Sequence, residues 1–148
     1  MDTASVDALL LDGTPALKEM VGVLIKDFSS HQYPNNKGSH GVARVYNHWS
    51  YMSPLREQHQ RMERFRAPFT VLRLLTPLKM SYEAAKKRAE PYTKIVEELP
   101  EMRRDTVDLV EKAVGEKRKA YVLVNNRSEG NAPLTIQALR NALRNMLL

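Results

Sequence analysis

Residues 120–134, AYVLVNNRSEGNAPL, constrain the fold more than any other stretch of this chain. An unbroken apolar run turns polar at Asn125, bends at Gly130 and opens a helix near Asn131, with Pro133 in its first turn. Proline suits that position because its missing N–H has no helical acceptor there. An apolar run without alternation suits a strand covered on both faces. Strand, loop and helix in that order form the unit from which parallel α/β folds are built, with ligands held at the carboxyl ends of the strands.

The same order recurs upstream. Residues 42–46 read as a short strand that runs into Asn47, His48 and Trp49. Residues 69–75, FTVLRLL, read as a second strand, stopped by Thr76-Pro77. Thr14-Pro15 is an N-cap and first-turn signature, followed by Leu17, Met20, Val21, Leu24, Ile25 and Phe28 at helical spacing. Residues 29–39 are a Ser-, Asn-, Pro- and Gly-rich loop. Ser53-Pro54 starts a basic helix reaching about Arg66, with Leu55, Met62 and Phe65 as its apolar positions. Ser81 caps a helix over 81–98 with Tyr82, Ala85, Ala89, Tyr92 and Val96 on one stripe, and Pro91 predicts a kink or break near Glu90. Another helix covers 102–116 with Val107, Val110 and Val114 inward, and the last carries Ile136, Leu139, Ala142, Leu143 and Met146. The expectation is an α/β fold: a partial, TIM-barrel-like parallel sheet of three strands, or four if residues 6–11 form one, flanked by helices. Such a sheet leaves apolar edges unless something covers them.

At 148 residues the chain has the size of one domain and can bury a core. It contains no cysteine, which excludes disulfides and thiolate metal sites. The first residues carry acids before a short apolar run, unlike a secretory signal, and no run is long enough to span a bilayer. A cytoplasmic location without membrane association is the expectation. The formal charge of +6 is spread among mixed Lys, Arg, Glu and Asp, as on solvated helix faces.

Polar residues gather at the expected strand ends. Arg73 interrupts an apolar strand, on the face of Phe69 and Val71 and opposite Leu72 and Leu74. A buried guanidinium is costly unless it is paired. It needs an acid such as Glu129 or another carboxylate, a run of carbonyls, or a bound anion. Asn125 and Asn126 point to opposite faces and suit ligand orientation or loop fixing rather than acid–base work. Arg127, Gly130 and Asn131 precede a helix whose free N–H groups could hold a phosphate or carboxylate, the alternative being ordinary capping. The candidate binding residues are therefore Arg73, Asn125, Asn126, Arg127 and Asn131. His48 is the candidate base and Glu129 the candidate acid, or else the partner of Arg73. His31, His40 and His59 lack the spacing of metal ligands, and no cofactor motif occurs.

The segments GVARVYNHWSYMSPLREQ, APFTVLRLL, EPYTKIV, MRRDTVDLV and AYVLVNNRSEGNAPLTIQAL resemble the C-terminal half of the YecE-like family of uncharacterised TIM-barrel-like proteins, over residues 38–147. The resemblance implies that 38–148 is the closing half of a barrel and leaves 1–37 as an N-terminal helix and loop. It implies that Asn125 and Asn126 end the final strand and that Arg73 is the arginine of the preceding one. It supplies no reaction. A half-barrel would associate with itself or with a second chain that completes it. The leading expectation is thus a pocket for a small anionic or polar ligand at the strand ends. The alternatives are a basic nucleic-acid-binding protein working through Arg56, Arg61, Arg64 and Arg66, or an inactive fragment of a barrel.

Overall fold

The computed structural model describes residues 45–61 and 67–146. The expectations for residues 1–44, among them the helix after Thr14-Pro15 and a strand at 6–11, lie outside the described residues, as do Met62, Arg64, Phe65 and Arg66. The described elements run β1 (Val45–Ser50), α1 (Leu55–Gln60), β2 (Phe69–Leu78), α2 (Tyr82–Ala89), α3 (Pro100–Gly115), β3 (Lys119–Val124), α4 (Asn126–Glu129) and α5 (Ala132–Met146). The three strands form one parallel sheet in chain order, β1-β2-β3.

Period two divides the strands between two faces. Tyr46, Leu72 and Leu74 are buried against Leu55 of α1, Met102, Val107, Leu109 and Val110 of α3, and Leu139 and Leu143 of α5. Ala120, Val122 and Val124 of β3 pack on the same cluster. The helices α1, α3 and α5 thus lie on one face of the sheet. The opposite face carries Asn47 and Trp49, Phe69, Val71, Arg73 and Leu75, and Tyr121 and Leu123. Of these, Trp49 is 46% and Tyr121 40% exposed. The registered row Asn47–Arg73–Leu123 crosses it.

Several boundaries differ from the sequence expectation. β1 continues through Asn47, His48 and Trp49 to Ser50. β2 does not stop at Thr76-Pro77 but continues to Leu78. Proline cannot donate to a ladder, and the ladder accommodates it with an irregularity: His48 pairs with Leu74, but Ser50 pairs with Leu78. Side chains close the gap. The Ser50 N–H donates to Thr76 Oγ1 at 2.9 Å, and the His48 ring bonds the Thr76 carbonyl.

The helix begun at Ser81 breaks rather than kinks. Ser81 Oγ accepts from the Ala84 N–H as an N-cap, and α2 ends at Ala89, before the cis Glu90–Pro91 bond. Tyr92 and Val96 are therefore not on its stripe. Ser53 does not cap α1, whose N-cap position is Pro54. In α3, Val107 and Val110 face inward as expected, but Val114 is 40% exposed. In α5, Ile136, Leu139 and Leu143 are buried, while Met146 is 57% exposed. Residues 126–129 form the short helix α4, which the apolar-to-polar switch at Asn125 did not reveal.

Candidate functional site

The polar residues nominated from the sequence separate into three groups once folded, with His48 apart from all of them. The first is an internal clamp built on Glu129, which is fully buried. Its Oε1 accepts from the Leu99 N–H at 2.6 Å. Its Oε2 accepts from Arg103 Nη2 at 2.8 Å, from Arg103 Nε at 3.1 Å and from Thr135 Oγ1 at 2.8 Å. Its backbone carbonyl accepts from the Val96 and Glu97 N–H groups. The carboxylate is therefore committed to tying α4 to the loop before α3, to α3 and to α5. The pairing of Arg73 with Glu129 considered from sequence is not made. Arg103, 26 residues away, takes that place. Gly130 closes the same junction at φ 120°, where a Cβ would stand 2.4 Å from the Lys94 carbonyl oxygen. Only glycine accepts both that conformation and that approach.

The second group consists of capping amides. Asn125 Oδ1 accepts from the Arg127 N–H at 2.9 Å and caps α4. Asn126 Oδ1 accepts from the Ala132 N–H at 2.8 Å. Asn131 Oδ1 accepts from the Leu134 N–H at 3.0 Å, and its Nδ2 donates to the Tyr92 carbonyl at 2.7 Å. These amides complete orphan helix-start donors. Loop fixing, one of the two roles open at sequence level, is the role each performs here.

The third group is Arg73, midway along β2 on the face opposite α1, α3 and α5, and Arg127, in α4 just beyond the end of β3. Arg73 is partly buried, and its Nη1 lies 3.4 Å from Asn47 Oδ1. Among the described residues no carboxylate pairs with it. Burial alone pulls its pKa below the ordinary value, because desolvation disfavours a cation with no compensating charge. Arg127 leaves the end of β3 with its guanidinium 4.2 Å from the centroid of the Tyr82 ring. Its Nη1 reaches Asn125 Oδ1 at 3.4 Å, while its buried Nε has no hydrogen-bond partner.

His48 does not join Arg73. As the β1 neighbour of Asn47 it projects to the helix-covered face, where it is buried. Its Nδ1 lies 2.9 Å from the Thr76 carbonyl oxygen. A carbonyl only accepts, so Nδ1 carries the proton and Nε2 is the acceptor. Desolvation lowers its pKa, partly offset by the Thr76 bond and by Asp105 and Glu129. His59 bridges Tyr46 Oη at 2.8 Å and Lys112 Nζ at 2.9 Å. Its pKa is lowered too, by burial first and by Lys112 second.

The basic helix offers less free charge than its sequence suggests. Arg56 bonds Asp105 and Asp108, and Arg61 bonds Glu57. Among the described residues no cluster of His, Asp and Glu suits a metal ion, and no helix is long and apolar enough to cross a membrane.

The residues that sequence reasoning missed are Asn47 as the neighbour of Arg73, Tyr82 under Arg127, and Arg103. Asn47 was legible in principle, since both strands end in polar residues. Arg103 carried no local signal. No family model, no curated protein and no solved structure matches the chain.

Proposed function

We propose that this chain binds a small anionic ligand on the face of its sheet opposite α1, α3 and α5, with Arg73, midway along β2, as the anchor. The carrying observation is a partly buried guanidinium that pairs with no carboxylate among the described residues and hydrogen-bonds only to the Asn47 amide there. A cation in such surroundings is stabilised by a bound anion, and the guanidinium fork suits carboxylate and phosphate oxygens. Arg127, at the neighbouring strand end, adds positive potential. Asn125, Asn126 and Asn131 hold the loop frame rather than the ligand in this reading, and His48 and Glu129 serve the covered side.

A YecE-like half-barrel is the architecture we propose for this site. What supports it is that the strands run parallel in chain order with α1, α3 and α5 on a single face. Doubly wound sheets place helices on both faces; barrels place them outside only. The edges of β1 and β3 that no described strand pairs would join further strands, from this chain or another.

The test is a titration with inorganic phosphate and with acetate, followed by backbone amide shifts. Saturable shifts at Asn47, Arg73 and Leu123, lost in Arg73→Gln, are expected. Shifts absent from that row, or unchanged by the substitution, would sink the anion site.

A further inference from the structure

The surroundings of Arg73 specify more than a charge. Asn47 is its register partner on β1, and the amide oxygen faces the guanidinium. That orientation follows from chemistry, because the amide nitrogen and the guanidinium are both donors. The Asn47 Nδ2 group and the remaining guanidinium N–H groups have no acceptor among the described residues. Donors from two strands therefore stand together on one face.

The rest of that face is aromatic and apolar. Trp49 follows Asn47 by two residues in β1, about 6.6 Å further along in a regular strand, between His48 and Ser50, where the register with β2 shifts. It is 46% exposed. On the other side of the Asn47–Arg73–Leu123 row, Tyr121 is 40% exposed and meets Phe69 edge-on, with ring centroids 6.0 Å apart. Leu123 lies beside Arg73 in that row. An inorganic anion would satisfy the donors and leave the Trp49 ring in water. A neutral aromatic would cover the ring and leave the guanidinium without a counter-charge. One ligand type answers both demands.

We infer that the occupant is a planar aromatic ring bearing an anionic group, its carboxylate or phosphate on Arg73 and Asn47 and its ring against Trp49. The inference rests on the anion site proposed above and deepens it. Stacking against an exposed indole adds to area burial, so aromatic anions are expected to exceed saturated ones by up to about tenfold in affinity.

Trp49 is the only tryptophan in the chain, so its fluorescence reports this face directly. The full chain is titrated with benzoate, phenyl phosphate, cyclohexanecarboxylate, inorganic phosphate and benzamide. The expected result is saturable quenching by benzoate or phenyl phosphate at concentrations several-fold below those at which cyclohexanecarboxylate and inorganic phosphate bind by amide shifts, with benzamide inactive. Benzoate against phenyl phosphate separates a carboxylate ligand from a phosphate one. Arg73→Met, checked for folding by circular dichroism, removes the response. Trp49→Leu, followed by ligand NMR, levels aromatic and saturated acids. Equal binding of all anions with a silent Trp49 overturns the inference and leaves the anion site standing. Binding by none of the anions overturns both. A blue-shifted Trp49 emission that reverts on dilution, with dimers in light scattering, also overturns it, because a second copy then holds the face.

Discussion

Arg103 and Arg73 occupy opposite sides of one sheet and show what a buried charge means in each place. Arg103 grips a fully buried carboxylate with two N–H groups, and that carboxylate also accepts from Leu99 and Thr135. Both carboxylate oxygens of Glu129 and its backbone carbonyl are answered from within the fold. Arg73 meets one amide oxygen at 3.4 Å and no described carboxylate. The first arginine is part of the frame. The second is a charge that no described carboxylate answers. A polar residue at a strand end is thus no sign of a site until its partners are known.

The sharpest way to break this contrast is Glu129→Ala. It leaves Arg103 without its acid and orphans the Leu99 N–H, so a loss of about 3–5 kcal/mol is expected in urea unfolding. A loss under 1 kcal/mol would show that the clamp is not structural. Next is Gly130→Ala. A Cβ 2.4 Å from the Lys94 carbonyl and 2.8 Å from the Val96 nitrogen, at φ 120°, must displace backbone. A loss on the order of 2–3 kcal/mol is expected by the same measurement.

The third prediction concerns pH. His48 and His59 both have pKa values lowered by the fold. Below the ordinary value near 6.5 the unfolded chain binds protons that the folded chain refuses, so stability is fully present above that pH. It declines as pH falls toward the lower folded values. Urea midpoints measured downward from pH 7.5 should fall less steeply in His48→Asn. A wild-type midpoint that rises on acidification through this window contradicts the assignment.

The smallest effect is expected from Arg73→Met. Removing a desolvated cation that no carboxylate answers should change stability by less than about 1 kcal/mol, with a slight gain the favoured sign. A loss comparable to that of Glu129→Ala would mean Arg73 is structural after all, and would erase the contrast between the two arginines.

Much of this was legible locally. Alternation in FTVLRLL put Arg73 opposite Leu72 and Leu74, and the fold keeps it there. Ser81 announced its cap and Pro133 its helical first turn. The α/β order followed from apolar runs separated by helical spacing. Other features were hidden because they depend on neighbours far along the chain. Thr76-Pro77 read as a stop, yet β2 passes through it, because β1 supplies Ser50 and His48 to bond Thr76. His48 looked like a free base at a strand end, but β1 continues past it and turns it under the helices. Glu129 could be read as an acid or as the partner of Arg73, and the fold pairs it with Arg103 instead.

What the sequence determined by itself is therefore the order of the three described strands and the longer helices between them, and the face that Arg73 takes, because these follow from short-range periodicity and backbone sterics. Only the tertiary structure decided which charges meet. Strand register and helix docking bring Arg103 to Glu129 and Asn47 to Arg73 across 26 residues in each case. A long-range pairing depends on where the whole sheet and its helices come to rest, and no local pattern encodes that.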